Sequence, residues 1–387
     1  MSAEVPRLNC LVLGAGVSGR AAERLARKEG FNAVVLDGDD GLPEGDFAFA
    51  VASPGVPCGH RWIEGCRGRG IPVMSELQFG CEALLRQGWK LLAVTGSKGK
   101  SSVVKVTADA INLSGVRAVA CGNYGYPVSD LAAEGGSPGW AVVEVSSFML
   151  ELTRLPADAF KAAAVLNLQE DHLDRHGSVE EYHSLKLGLL KMAENGFVAT
   201  EGPVPSGSYF DNEILRVNGA AAAALMRAAG VDEECISRAF LSFRPLDHRM
   251  QEIACIRGVR YIDDSKATSL AALRAAVVMA CDSVRLIAGG TPKGDDPSDV
   301  LPDLTKRVKK VYLIGRCADE FFRAWHESVD CEICGDIGKA VEAAMREAVK
   351  GETVVLSPGA ASYDQFKNFG ERGDVFASLV KKKDKIK

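Results

Sequence analysis

An α/β fold in three domains is what this sequence predicts, and three observations predict it. Short apolar runs of β character alternate with amphipathic helical stretches along the whole chain. Two of those runs end in glycine-rich turns that open a helix, and 387 residues exceed what one ordinary core takes up. A hydrophobic content of 47% with 25% charged residues describes a soluble globular protein. No apolar run approaches the ~18–20 residues that span a bilayer, and the N-terminus lacks the layout of a signal peptide, so a cytoplasmic protein with no membrane partner is expected. A net charge of −5 gives no general attraction to nucleic acid, and the basic run Lys381-Lys382-Lys383 reads as a tail. Eleven cysteines scattered through apolar stretches read as buried thiols in a reducing compartment. Cys331 and Cys334 have metal-ligand spacing but lack a second pair or a nearby histidine.

The elements fall in order. A β run at 8–13 feeds a helix at 20–29, a second run at 33–36 stops at Asp37, and a helix at 82–87 closes a first domain, 1–89. Strands at 90–95, 118–121, 140–145 and 162–168, a helix at 103–113 and an alanine-rich helix at 220–229 make a central domain, 90–245, with a parallel sheet. The segment 243–247 has the look of a linker. A last domain, 246–387, repeats the βα theme with strands at 260–262, 284–288, 310–314 and 353–356.

Chemistry concentrates at a few strand ends. The strand 91–95 runs into Gly96-Ser97-Lys98-Gly99-Lys100-Ser101-Ser102 and then a helix, which is a P-loop in the right context. Glycines let backbone N–H groups wrap a phosphate, Lys100 can reach the β- and γ-phosphates, and Ser101 can ligate Mg²⁺. The longer Walker spacing fails at Val94, leaving Gly-x-x-Gly-Lys-Ser. The motif Gly14-x-Gly16-x-x-Gly19, with Asp37 ending the next strand, matches a dinucleotide fingerprint and predicts a Rossmann-like first domain. Since the P-loop takes the triphosphate, the first domain is expected to hold a nucleotide-linked substrate; a structural tight turn is the alternative. Glu144 ends an apolar strand, where it could anchor Mg²⁺ or simply be solvated. The polar cluster Glu170-Asp171-His172-Leu173-Asp174 offers hard oxygens and an imidazole for a second divalent ion. Lys186 reads by spacing alone as a surface lysine on a helix.

Together, Thr95-Gly96-Ser97-Lys98-Gly99-Lys100-Ser101, Gly122-Asn123-Tyr124-Gly125, Glu144-Val145-Ser146-Ser147-Phe148, Glu170-Asp171-His172-Leu173-Asp174, Asp264-Ser265-Lys266-Ala267-Thr268 and Ser357-Pro358-Gly359-Ala360-Ala361-Ser362 resemble the Mur ligases of peptidoglycan synthesis in order and spacing. The ending Asp364-Gln365-Phe366-Lys367-Asn368-Phe369-Gly370-Glu371-Arg372-Gly373 is most similar to the D-glutamate-adding branch. The resemblance implies that the first domain binds the UDP end of UDP-N-acetylmuramoyl-L-alanine through Gly14, Gly16, Val17, Ser18, Asp37, Ser53 and Gly55, with Asn123 also touching that substrate. It implies an ATP site in the central domain made of Gly96, Ser97, Lys98, Gly99, Lys100, Ser101, Ser102 and Asn218, completed by Arg249, Asp264 and Lys266. Ser101, Glu144, His172 and a carbamylated Lys186 would serve Mg²⁺ or Mn²⁺; a carbamate turns a cationic lysine into an anionic oxygen ligand. Lys266, Thr268, Lys293, Ser362 and Phe369 map onto positions that receive D-glutamate, and a dianionic amino acid calls for lysines and hydroxyl donors. A Rossmann-like last domain and a monomer complete the expectation.

Three places depart from the family pattern. Lys98 stands where many D-glutamate-adding members have Asn. The stretch between Lys186 and His248 is short, with 210–217 replacing a Gly-x-His-Asn pattern before Asn218. Gly38 and Asp39 replace the more usual uracil-side residues. The implied reaction is ATP-dependent amide ligation through an acyl phosphate. The rivals are a nicotinamide dehydrogenase resting on the first glycine motif, a non-catalytic UDP-sugar-binding paralogue, and a ligase with another amino-acid acceptor.

Overall fold

The computed structural model describes residues 8–169, 173–280 and 283–384. Three sheets organise them. In the first, β1 (Asn9–Leu13), β2 (Asn32–Leu36), β3 (Ala50–Ala52) and β4 (Val73–Ser75) lie in the order β2-β1-β3-β4, every pair parallel. Strand order reverses between β1 and β3, so the loops after these two strands flank the crevice where α/β sheets bind ligands. The second sheet orders β5 (Lys90–Thr95), β6 (Ala118–Gly122), β7 (Trp140–Glu144), β8 (Phe160–Val165) and β9 (Ala193–Val198) as β6-β7-β5-β8-β9, again all parallel. Its central strand β5 is Leu-Leu-Ala-Val after Lys90 and is buried throughout from Leu91, as a strand covered on both faces must be.

The third sheet orders β10 (Gln251–Ile256), β11 (Val259–Asp263), β12 (Val284–Gly289), β13 (Val308–Ile314), β14 (Cys331–Gly335) and β15 (Thr353–Leu356) as β10-β11-β15-β12-β13-β14. Only β10 runs antiparallel to its neighbour. Cys331 and Cys334 sit three apart on β14 and pack into two different clusters of this unit, so strand periodicity turns the pair away from a shared metal.

By its packing the chain divides into two compact units, Met1–Phe243 and Arg244–Lys387. The first unit contains two sheets because one core runs through both. Cys10, Val12 and Val51 of the first sheet share a buried cluster with Leu91, Ala93, Val143 and Phe160 of the second, joined through helices Glu76–Arg86 and Val128–Glu134. Those two helices approach so closely that a Cβ on Gly80 would stand 2.7 Å from the Ser129 nitrogen. Ser129 donates its backbone N–H to Glu76 Oε1 at 2.8 Å. Helix Val17–Lys28 adds a two-pronged ion pair, Arg24 to Asp130. Among the described residues, no helix is long and apolar enough to cross a membrane.

Candidate active site

The two glycine motifs become the same local device. Each follows the carboxyl end of a strand and opens a helix whose start carries no side-chain cap: Gly16 precedes Val17–Lys28, and Gly99, at φ +85°, precedes Lys100–Leu113. Some helices elsewhere are capped, by Ser75, Ser178, Asp232 or Asp336, while others, such as Arg216–Ala228 and Ala318–Trp325, also start without a side-chain cap; what sets the Gly16 and Gly99 starts apart is the glycine turn at a strand end. An uncapped N-terminus leaves backbone donors and positive potential for an anion.

In the first loop the glycines are sterically required. A Cβ on Gly19 would fall 1.7 Å from the Gly14 carbonyl oxygen, and Gly14 itself has φ +94°. Ser53, at the end of β3, donates its hydroxyl to that same carbonyl at 3.1 Å, which ties the two loops flanking the crevice. Gly16, Val17 and Gly55 face solvent, Val17 at 70% exposure, and Ser18 is partly covered. Asp37, exposed just after β2, has no side-chain hydrogen bond among the described residues; its backbone N–H is held by Asp40.

The second loop is braced from β8. Ser97 donates its N–H to the Asn167 carbonyl at 3.0 Å, and the Asn167 side chain grips Lys98 at both its N–H and its C=O. The Ser97 hydroxyl bonds the backbone of Gln169 and the phenol of Tyr182. Lys100 folds back over its own loop, donating to the carbonyls of Gly96 at 2.7 Å and Ser97 at 3.2 Å. Ser101 and Ser102 are buried in the first turn of the helix. Asn218 is 5% exposed and packs on the loop, its amide 2.2 Å from where a Gly99 Cβ would stand.

Beside β5, β7 delivers Glu144, 3% exposed. Its Oε1 accepts from Asn123 Nδ2 at 2.8 Å, while buried Oε2 has no hydrogen-bond partner among the described residues. A buried, one-sided carboxylate on the strand paired with the one that enters the P-loop is a fit for a hard divalent cation. Lys186, expected from spacing on a solvated face, is 2% exposed; its ammonium donates to the Gly96 carbonyl at 3.0 Å and lies 4.6 Å over the Tyr182 ring. His172 lies outside the described residues.

The second unit gathers the remaining candidates at the carboxyl edge of its own sheet. Asp264, directly after β11, accepts from Ser357 Oγ and from the Met250 N–H, and burial pushes its carboxyl up to about 7. Arg249 lies close enough to oppose that rise. Lys266 donates its backbone N–H to the His248 carbonyl and sets its ammonium 4.0 Å over the Phe369 ring. Lys293 reaches Thr268 Oγ1 at 3.2 Å, and Ser362 is buried at the end of a two-way bridge between Thr291 and Ala361. Two ammonium groups and two hydroxyls thus collect on the loops after β11, β12 and β15.

Sequence reasoning missed Asn167 and Tyr182, which brace the P-loop, and Arg372, discussed below. Asn167 stood in plain view just past an apolar strand; Tyr182 and Arg372 carry no local signal because their partners are far away in sequence.

Comparison with known proteins decides the family. Residues 94–213 match the Mur ligase middle domain and residues 248–360 the Mur ligase glutamate ligase domain. UDP-N-acetylmuramoylalanine--D-glutamate ligase of Frankia casuarinae is 34% identical, with 97% of this chain and 94% of that protein covered. The chain belongs to the Mur ligase family. The correspondingly named protein of Chlamydia caviae is 31% identical over 96% of this chain and 97% of its own. Among solved structures, a UDP-N-acetylmuramate-alanine ligase from Thermotoga maritima superposes with a TM-score of 0.59 at 13% identity, covering 98% of this chain and all of that one. A bifunctional folylpolyglutamate synthase/dihydrofolate synthase from Yersinia pestis, complexed with AMPPNP and Mn, gives 0.57 at 16% identity over 79% of this chain and 92% of that one. These likenesses show the Mur ligase fold, and the family assignment makes the chain an ATP-dependent ligase of peptidoglycan synthesis.

Proposed function

We propose that this Mur ligase joins D-glutamate to UDP-N-acetylmuramoyl-L-alanine, forming an amide through an acyl phosphate, as a cytoplasmic monomer. The observation that carries the reading is Glu144 Oε2, a buried carboxylate oxygen without a hydrogen-bond partner among the described residues, one strand from the loop of Lys100 and Ser101. Its orphaned lone pairs are what a Mg²⁺ or Mn²⁺ ion would satisfy, with Ser101 and His172 as further holders. That ion would neutralise charge on the phosphates of ATP.

The donor's UDP end rests on the loops of Gly14, Gly16, Val17, Ser18, Ser53 and Gly55, with Asp37 at the ribose side and Asn123 toward the reacting end. Its alanyl carboxylate attacks the γ-phosphate of ATP, ADP leaves, and Lys100 offsets the charge that spreads over the transferring oxygens. Gly96, Ser97, Lys98, Gly99 and Ser102 wrap the phosphates and Asn218 takes the base side; Arg249, Asp264 and Lys266 are the second unit's candidates for the nucleotide. D-glutamate is received by Lys266, Thr268, Lys293, Ser362 and Phe369. Its amine attacks the acyl carbon and inorganic phosphate departs. A carbamylated Lys186 would exchange an ammonium for a carboxylate-like group beside Gly96, adding a second anionic holder for the ion.

The test is phosphate release from ATP and Mg²⁺ with UDP-N-acetylmuramoyl-L-alanine, with and without D-glutamate, using Lys100→Ala as the blank. Release that requires both substrates supports the ligase. Donor binding without release, or release that follows L-alanine or diaminopimelate instead, overturns it.

A further inference from the structure

Arg372 stands in the last helix, Phe369–Asp384, where the sequence Gly-Glu-Arg-Gly-Asp reads as a solvated first turn. It is instead 1% exposed. Its guanidinium spends every arm on the sheet's carboxyl edge. Nε donates to Ser265 Oγ and Nη2 to the Ser265 carbonyl, both at 2.9 Å. Nη1 and Nη2 share the Ala360 carbonyl at 3.2 Å each, and Nη1 reaches the Gly289 carbonyl at 3.5 Å. The Ser265 hydroxyl passes the linkage on to the Phe369 carbonyl at 2.8 Å.

These partners precede the candidate acceptor residues along each loop. Ser265 adjoins Lys266 after β11, Gly289 ends β12 on the way to Lys293, and Ala360 lies two residues before Ser362 after β15. Gly290, at φ +142°, lets the β12 loop close in: a Cβ there would stand 2.1 Å from the Ala361 carbonyl and 3.2 Å from Arg372 Nη1. A planar fork with fixed donor directions can hold three loops in one register; a flexible ammonium cannot.

The charge is as informative as the geometry. Among the described residues, no carboxylate is a hydrogen-bond partner of Arg372. Asp263 and Asp364 lie near enough to favour its protonated form, but Asp263 is engaged by His248 Nδ1 and the Ser265 N–H, and Asp364 by the Arg316 N–H. Burial lowers the guanidinium only to about 10, so it stays protonated at neutral pH. With Asp263 and Asp364 near but bonded elsewhere, the buried charge is only partly offset at the loop ends it organises.

We propose that Arg372 is a positioning residue for the anionic acceptor: its guanidinium sets the register of the loops bearing Lys266, Lys293, Ser362 and Phe369, and its only partly offset charge adds to their affinity for a dicarboxylate amino acid without touching it. This rests on the acceptor reading above. The test compares Arg372→Lys, which keeps the charge but not the fork, with Arg372→Met, which keeps neither. Ser265→Ala serves as a milder variant that loosens the same knot, and Val341→Ala, in the core of helix Ile337–Glu347, as a control for general destabilisation. Two readouts are taken from each: KM for D-glutamate in the full reaction, and hydroxylamine trapping of the acyl phosphate from ATP, Mg²⁺ and donor with no amino acid present.

The expected result is a KM for D-glutamate raised tenfold or more in Arg372→Met, less in Arg372→Lys and least in Ser265→Ala, with hydroxamate formation, which Lys266 also serves through the nucleotide, falling far less than acceptor affinity in all three. A KM that tracks melting temperature alone, so that Val341→Ala matches them, overturns the inference. So does a variant that loses hydroxamate and acceptor affinity together. Wild-type protein that forms no hydroxamate would overturn the acyl-phosphate reading, and wild-type protein whose phosphate release does not respond to D-glutamate would overturn the acceptor reading and the inference with it.

Discussion

The two glycine loops of the first unit start from the same backbone solution and end with different equipment. Both leave a helix N-terminus uncapped at the end of a parallel strand. Around the Gly14–Gly19 turn there are Ser18, the Ser53 hydroxyl and an exposed valine; around the Gly96–Ser102 turn there are Lys100, Lys186, three buried serines and Glu144. The first arrangement suits a ligand that is held and left chemically alone, since backbone dipoles bind a diphosphate without polarising it far. The second concentrates charge where charge must move, and holds it in place with Asn167 and Tyr182. A glycine fingerprint therefore identifies an anion seat, and the ionisable residues within reach say whether chemistry happens there.

Removing Lys100 should break that contrast most severely. Lys100→Ala strips the second loop of its mobile cation and is expected to cut turnover by about a thousandfold, with donor affinity unchanged when measured by calorimetry. Next comes Glu144→Gln, which preserves the contact from Asn123 but not the anionic oxygen. Turnover should fall on the order of a hundredfold, partly recovered by raising Mg²⁺, and a Mg²⁺ titration of the rate reads both. The glycines themselves should separate the two seats. Gly99→Ala forces a left-handed backbone costing ~1–2 kcal/mol and collides with Asn218, so KM for ATP rises about tenfold while KM for the donor holds. Gly19→Ala drives a methyl into the Gly14 carbonyl and should do the reverse. Ser53→Ala removes one hydroxyl bond, worth ~0.5–1.5 kcal/mol, and should raise donor KM about two- to tenfold.

The smallest effect concerns Glu76, in the joint between the two sheets. Burial raises its carboxyl to about 7, above the ordinary 4.5, so the folded chain holds a proton that the unfolded chain has released. The stability this contributes is fully present below pH 4.5 and is lost as pH rises through 7. Glu76→Gln keeps an acceptor for the Ser129 N–H. It should flatten part of the decline in unfolding free energy between pH 4.5 and 7, as read by denaturant titration, with little change in activity.

Much of the fold was legible because the buried parallel strands are almost uninterrupted apolar runs. The strands expected at 90–95 and 353–356 match β5 and β15. Those near 118, 140 and 284 differ from the observed bounds by a residue at one end. The strand expected at 162–168 stops at Val165 because Leu166 to Gln169 peel away to hold the P-loop, a tertiary demand that no local pattern announces. Strands β9 and β14 went unseen: Ala-Glu-Asn-Gly-Phe-Val contains a turn-like Asn-Gly and lies at an exposed edge, and Cys-Glu-Ile-Cys-Gly has no clean alternation. The helix foreseen at 82–87 begins six residues earlier, at Glu76, where Ser75 caps it. For the site, the loops were readable because phosphate seats need glycine, lysine and hydroxyl within a few residues. Lys186 was not, since its environment of Gly96 and Tyr182 exists only once the chain has folded. Arg372 is the extreme case: its carbonyl and hydroxyl partners stand 107, 83 and 12 residues away.

The core that runs through both sheets of the first unit also bears on synthesis. When the ribosome has made β1 to β4 and helix Glu76–Arg86, the apolar residues Val12, Val51, Leu77 and Phe79 still lack the partners that cover them, which arrive with β5 and with helix Val128–Glu134. At ~5–20 residues per second those partners lag by a few seconds. A nascent chain paused between Arg86 and Lys90 would display a finished glycine turn on a half-built, adhesive surface, so the opening ninety residues depend on prompt translation of the next fifty.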